Sequence, residues 1–173
     1  MRIPPDLKED EKKQVIMNYG IKYKFDTFVE TGTYKGEMVE KAKKVFDNIY
    51  SVELLDNLFN ESVIRFKDDK NIHLYKGNSP NALELIMPQI NKATLFWLDA
   101  HDGQTSPVLK ELKVIFKYPA YNHLILIDDM RNFKINRRSY PKIPEIIAFI
   151  KEHRPSWNID IDKDIMRIGI NNV

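Results

Sequence analysis

The chain has 173 residues, 43% of them hydrophobic and 30% charged, with a net charge of +2. That size and balance suit one globular domain with one sizeable core, and so small a net charge gives no electrostatic footprint for nucleic acid. The sequence has no cysteine, no apolar run near the roughly 20 residues that span a bilayer, and no signal-peptide core in its opening MRIPPDLKEDEKK, so disulfide frameworks, thiolate metal sites and membrane spans are excluded and a cytoplasmic location is expected.

In chain order, residues 1–25 form a helical extension, with a helix from Asp6 to Asn18 expected to pack on a sheet edge. Phe25 to Glu30 (FDTFVE) reads as the first strand. Lys35 to Phe46 has helical period, with Met38, Val39, Ala42, Val45 and Phe46 on one face. The second strand is Asn48 to Leu54, and Leu55 to Phe66 is helical. Ile72 to Tyr75 is the third strand, after which Ser79 and Pro80 signal the cap and first turn of a helix reaching about Ile90. Ala93 to Leu98 (ATLFWL) and His123 to Ile127 (HLILI) are near-continuous apolar strands, as the buried centre of a parallel sheet requires. Pro107 to Lys117 and Ile143 to His153 are helices. Trp157 to Ile161 and Ile165 to Ile170 are strands whose short link, Asp162-Lys163-Asp164, predicts an antiparallel hairpin. The alternation predicts an α/β fold with one domain over 1–173: a Rossmann-like three-layer α/β/α sandwich on a mostly parallel seven-stranded sheet with an antiparallel C-terminal hairpin.

Ligands of such sheets bind beyond the carboxyl ends of the strands. There the sequence reads Glu30-Thr-Gly32-Thr33-Tyr34-Lys-Gly36, Glu53, Gly77-Asn78-Ser79, Asp99-Ala-His101-Asp102-Gly103 and Asp128-Asp129. Gly32 and Gly36 let a strand-to-helix turn approach a ligand closely, though a plain tight turn uses glycine equally well. The spacing is not G-x-G-x-x-G, which weighs against a nicotinamide or flavin site. Glu53, about twenty residues past the turn, can accept both ribose hydroxyls of an adenosine ligand, or be a solvated strand-end charge. Asn78 and Ser79 are candidates for an adenine contact, with helix capping the competing role for Ser79. Asp99, Asp128 and Asp129 end two neighbouring central strands. Carboxylates converging there repel unless a cation holds them, and hard oxygen ligands favour Mg²⁺, Mn²⁺ or Ca²⁺; capping is the plainer use of each. His101, in the loop after Asp99, is a candidate general base or metal ligand, whereas His73, His123 and His153 read as packing or surface residues. Arg131, Lys134, Arg137, Arg138 and Lys142 make a basic loop suited to a negatively charged acceptor, or simply a solvated one.

From about Phe25 onward these motifs resemble the class I S-adenosylmethionine-dependent methyltransferases. FVETGTYKGEMV resembles their first motif and SVELLDN their second, with Glu53 in the ribose-binding place. The likeness is closest to metal-dependent O-methyltransferases: Glu30, Gly32, Tyr34 and Gly36 match the E-x-G-x-Y-x-G of the catechol O-methyltransferase group, and Asp99 with Asp128-Asp129 match its Mg²⁺ positions. The DAH and IDDM segments are similar to macrocin and rhamnosyl O-methyltransferases and to cephalosporin hydroxylase-like proteins, where a histidine near the metal is a candidate base. Two departures matter. The lysine base of the catechol enzymes is Asp102 here, and the second residue of the metal pair is Asp129 rather than asparagine. Catechol is therefore not implied. Their longer N-terminal lid is also missing, so the acceptor pocket is expected to be shallow or completed by a second subunit in a homodimer.

The resemblance implies that S-adenosylmethionine is held by Glu30, Gly32, Thr33, Tyr34, Gly36, Glu53, Asn78, Ser79 and Asp99. A divalent metal (Mg²⁺ or Mn²⁺) is implied on Asp99, Asp128 and Asp129, with catalysis by His101 and Asp99 on a hydroxyl of a small molecule or sugar. No nucleic-acid or membrane partner is expected. The rival readings are a non-catalytic adenosyl-binding module and a metal-dependent hydrolase built on the same aspartates.

Overall fold

A computed structural model of the chain describes residues 8–101, 104–119, 121–133 and 139–169. The helices are α1 (Glu9–Tyr23), α2 (Glu37–Ala42), α3 (Asp56–Arg65), α4 (Ser79–Ile86), α5 (Val108–Phe116) and α6 (Ile143–His153). The strands are β1 (Thr27–Thr31), β2 (Asn48–Glu53), β3 (Ile72–Lys76), β4 (Leu95–Leu98), β5 (Leu124–Ile127), β6 (Asn158–Asp162) and β7 (Ile165–Gly169). They form one seven-stranded sheet in the order β3-β2-β1-β4-β5-β7-β6. β1 to β5 pair in parallel, while β7 runs antiparallel to both β5 and β6. This is the expected Rossmann-like sandwich. No described helix is long and apolar enough to cross a membrane.

Burial explains why the strand sequences differ. β4 and β5 are buried at every position and apolar throughout, while the equally buried β1 and β7 carry Glu30 and Arg167. β6 lies at the sheet edge and alternates, with Asn158, Asp160 and Asp162 exposed and Ile159 and Ile161 half-buried. A two-residue turn, Lys163 and Asp164, joins it to β7 with φ of 47° and 66°, the doubly positive geometry that matches strand twist. On one face α4, α5 and α6 bring Leu83, Leu112 and Ile146 against Val29, Phe96 and Ile125. On the other, α1, α2 and α3 bring Ile16, Val39 and Phe66 against Phe28, Trp97 and Leu126.

The N-terminal helix departs most from expectation. It runs from Glu9 to Tyr23 rather than from Asp6 to Asn18. It lies on a face of the sheet, not along its edge: Ile16 is fully buried in the cluster holding Phe28, Trp97, Leu124 and Ile165. Burying such a side chain stabilises the fold by about 1.5–3 kcal/mol, enough to fix a helix whose own apolar stripe is thin. α2 ends at Ala42 rather than Phe46, because the Lys44 and Val45 amides bond the Lys41 and Ala42 carbonyls three residues back instead of four. α4 stops at Ile86 and continues as one 3₁₀ turn, Met87–Gln89, since Pro88 has no N–H to give the preceding turn. Its cap is Asn78, whose Oδ1 accepts from the Asn81 amide at 3.1 Å, and Ser79 is the first helical residue.

Candidate functional site

Strand order switches direction at β1, which has β2 on one side and β4 on the other. The carboxyl ends of β1, β2, β4 and β5 open there onto a cavity of about 820 Å³. Glu30, Gly32, Thr33, Tyr34, Glu53, Asn78, Ser79, Asp99, His101 and Asp128 all line it, while Gly36 and Asp129 lie outside its wall.

The turn after β1 is held tightly. The Gly32 and Thr33 amides donate to the Val52 carbonyl at 2.9 and 3.0 Å, and Gly32 has φ +97°. A Cβ at Gly32 would stand 3.1 Å from the Asp99 carbonyl oxygen, a backbone atom that cannot swing away. Gly36 serves packing instead: at φ +73° it precedes α2, and a Cβ there would come within 2.7 Å of the Phe66 ring.

Glu53 ends β2 and is 6% exposed. Its two carboxylate oxygens accept from the Tyr34 amide at 2.7 Å and the Leu55 amide at 2.8 Å. Those bonds aim the group and leave each oxygen a further acceptor position on the cavity wall. Leu54 and Leu55 flank it at 56% and 53% exposure, and Leu58 joins them in the lining. A fixed anion beside an apolar rim suits a ligand with adjacent hydroxyls on a flat apolar ring system.

Glu30 lies deeper. Ser51 Oγ donates to it at 2.6 Å, and Thr33 Oγ1 bonds Ser51 Oγ at 2.6 Å. Burial pushes the Glu30 carboxyl up to about 8, with the Ser51 bond pulling the other way. Ser51 was not singled out from the sequence, although a serine inside the apolar run NIYSVEL is the signal that could have found it. Glu111 of α5 was missed as well. It is 1% exposed, burial pushes it up to about 7, and the nearby Ser79 and Thr31 hydroxyls pull it back. Among the described residues Thr31 Oγ1, Ser79 Oγ and Glu111 Oε1 have no hydrogen bond of ordinary length and angle, so the two hydroxyls relieve Glu111 only weakly and burial dominates. His123 is buried and packs edge-on against Phe96, as expected of a packing residue.

The aspartates behave differently from one another. Asp99, His101 and Asp129 bring one ligand atom each to within 4.8 Å of one another. Asp128 is not in this group: its Oδ2 accepts from Lys12 Nζ at 2.7 Å and its Oδ1 from the Asp129 amide at 2.7 Å. Lys12 Nζ also reaches Asp129 Oδ1 at 2.9 Å, and Arg131 Nη2 lies 3.0 Å from that oxygen. Burial pulls the Lys12 ammonium down, but Asp128 and Asp129 outweigh it and hold it above its ordinary value. Burial raises Asp128 in turn, against the pull of Lys12; with two bonds of 2.7 Å to its oxygens, the charged pair is the form the geometry supports. Asp99 is raised well above the usual carboxylate range, by burial first and then by Asp128 and Asp129. Lys12 could not be read from the sequence, because it stands 116 residues from Asp128. Of the basic loop, Arg131 is engaged by Asp129 and the buried Asp164, and the Lys142 amide caps onto Glu145. Lys134, Arg137 and Arg138 lie outside the described residues.

No protein-family model and no curated protein matches the sequence. Solved structures do match in shape. The SAH-bound methyltransferase PaMTH1 of Podospora anserina superposes with a TM-score of 0.69 at 14% identity, over 96% of this chain and 80% of that one. An O-methyltransferase of Bacillus cereus in complex with SAH gives 0.70 at 13% identity, over 96% and 84%. TomG of Streptomyces achromogenes, an O-methyltransferase of tomaymycin synthesis solved with SAM, gives 0.70 at 9% identity, over 95% and 81%. Together with the glycine turn and the strand-end acid at the switch point, they show that this chain has the fold of the class I S-adenosylmethionine-dependent methyltransferases.

Proposed function

We propose that the protein transfers the methyl group of S-adenosylmethionine to a hydroxyl oxygen of a small molecule or sugar. The observation that carries this reading is Glu53, a buried carboxylate held by two backbone amides, one of them Tyr34 of the Gly32–Tyr34 turn, with acceptor positions left over on the wall of the shared cavity. The structures of like fold bind SAH or SAM. The cofactor supplies an electrophilic methyl group. The chain then has to orient it, exclude water and take the proton of the acceptor hydroxyl. The turn and Glu53 orient, the leucine rim excludes water, and His101, on the cavity wall beside Asp99, takes the proton at a ring nitrogen. The small-molecule acceptor, the cytoplasmic setting and a homodimer that completes the cleft belong to the same reading.

The expected divalent metal fares differently. Both Asp128 oxygens and Asp129 Oδ1 already carry hydrogen bonds or ion pairs from Lys12, Arg131 and a backbone amide. What remains is Asp99, His101 and Asp129 Oδ2, which itself accepts from Asn132 Nδ2 at 3.2 Å. Mg²⁺ asks for octahedral oxygen ligation, and two fixed cations already occupy Asp128 and Asp129. The residues so arranged do not fit a divalent ion on Asp99, Asp128 and Asp129, and no step above uses one.

Calorimetry with S-adenosylhomocysteine tests the reading. Saturable binding is expected, weakened by about 1–3 kcal/mol in Glu53→Ala, the scale of charge-assisted hydrogen bonds. No binding of either adenosyl ligand at millimolar concentration would sink it.

A further inference from the structure

We propose that Lys12 is the resident cation of this site: its ammonium fills the place a divalent ion would take between Asp128 and Asp129, so these two carboxylates need no metal. The metal-free chemistry rests on the methyl-transfer reading above; the identity of the cation does not.

The argument begins with charge. Asp99, Asp128 and Asp129 converge at the carboxyl ends of β4 and β5, and like charges held close together need a counter-charge. Lys12 supplies one from across the fold. It sits in the first turns of α1, is 8% exposed, and its Nζ bonds Asp128 Oδ2 at 2.7 Å and Asp129 Oδ1 at 2.9 Å. An ammonium so placed carries a large desolvation penalty, offset only by close bonds to fixed anions. Both bonds are of the short, charge-assisted kind.

Placement argues the same way. α1 is held over the sheet by Ile16, one turn beyond Lys12, in the cluster with Phe28 and Trp97. The lysine stem is thus delivered by packing rather than by a loose surface arm. Asp129 is pinned too: it adopts φ 55° and takes Arg131 Nη2 at 3.0 Å on the oxygen that Lys12 uses. Arg131 is in turn anchored by the buried Asp164 and by its own amide, which donates to Asp164 Oδ1 at 2.6 Å. Two carboxylates therefore meet two cations within 3.0 Å. A metal ion on the same oxygens would have to displace Lys12 from both carboxylates. Lys12 is thus a positioning residue: it fixes Asp128 and Asp129, and through them the wall on which Asp99 and His101 stand.

The test measures metal binding directly. Mn²⁺ is titrated into the wild-type protein and into Lys12→Met, which keeps the stem and removes the charge, and free Mn²⁺ is followed by electron paramagnetic resonance. Wild type should show no saturable site below about 1 mM, while Lys12→Met, its carboxylates uncovered, should gain at least about tenfold in affinity and melt several degrees higher with Mn²⁺ than without. Lys12→Arg should behave as wild type does. Should Lys12→Met fail to fold, the wild-type measurements still decide. A stoichiometric submillimolar Mn²⁺ site in wild type, a clear rise of its melting temperature with Mn²⁺, or methyl transfer abolished by EDTA would each overturn the proposal. Failure to bind S-adenosylhomocysteine would instead overturn the methyl-transfer reading and leave the Mn²⁺ result standing.

Discussion

Glu111→Gln should change how stability depends on pH. Glu111 is fully buried behind the cavity, with only the Ser79 and Thr31 hydroxyls to relieve it, and its carboxyl is pushed up from an ordinary 4.5 to about 7. The folded state therefore keeps a proton that the unfolded chain releases. This contribution is fully present below the unfolded value near 4.5 and is lost as pH rises through about 7. At about 1.36 kcal/mol per unit of pKa, the whole contribution is on the order of 3 kcal/mol, and most of it falls between pH 5 and pH 8. Glutamine has no proton to lose. Glu30 and the aspartates also titrate, but burial and two neutral hydroxyls alone account for the Glu111 position, so those other contributions cancel between wild type and variant. Urea unfolding at pH 5 and pH 8 measures the effect. Wild type should lose about 2–3 kcal/mol more than Glu111→Gln over that interval. Equal losses in the two proteins would refute the claim that burial holds this proton.

Other perturbations give equally definite outcomes. Gly32→Ala places a Cβ 3.1 Å from a backbone oxygen at φ +97°, and should cost about 1–3 kcal/mol in urea unfolding while abolishing measurable S-adenosylhomocysteine binding. Arg131→Ala leaves the buried Asp164 without its guanidinium partner, and a loss of about 1–3 kcal/mol is expected; a loss under about 0.5 kcal/mol would show that the residue-131 amide satisfies Asp164 without the guanidinium. Ser51→Ala removes the hydroxyl that pulls Glu30 down, so Glu30 should titrate still higher, as carboxyl-carbon NMR would show.

The sheet was legible because its signals are local. LFWL and LILI lie where central parallel strands must, and the chemistry-bearing residues follow them at the strand ends. Glu53 could be placed by counting along the chain, and its surroundings in the structure suit the ligand then inferred. What escaped depends on distance in space. α1 has a weak apolar stripe, so its burial face is set by the sheet it lands on, and nothing near Lys12 in the sequence announces Asp128. Asp99, Asp128 and Asp129 stand together at the strand ends, but a repulsion argument requires only some cation, and a lysine on a distant helix supplies one to Asp128 and Asp129. The helix cap slipped by one residue for a similar reason: Asn78 and Ser79 are both good caps, and only backbone geometry at Asn78 decides.

The bond between Lys12 and Asp128 also has a bearing on synthesis. Lys12 leaves the ribosome 116 residues before its partner, an interval of roughly 6 to 23 s at ordinary elongation rates. Through that time its ammonium must stay hydrated, because a lone lysine cannot be buried without an anion. α1 can therefore form early but cannot dock until β5 has been made and its acidic end is in place. Closing so long a loop is slow and entropically costly. The ligand site should accordingly be among the last parts of the molecule to become native, and refolding followed by adenosyl-ligand binding should lag behind refolding followed by helix signal.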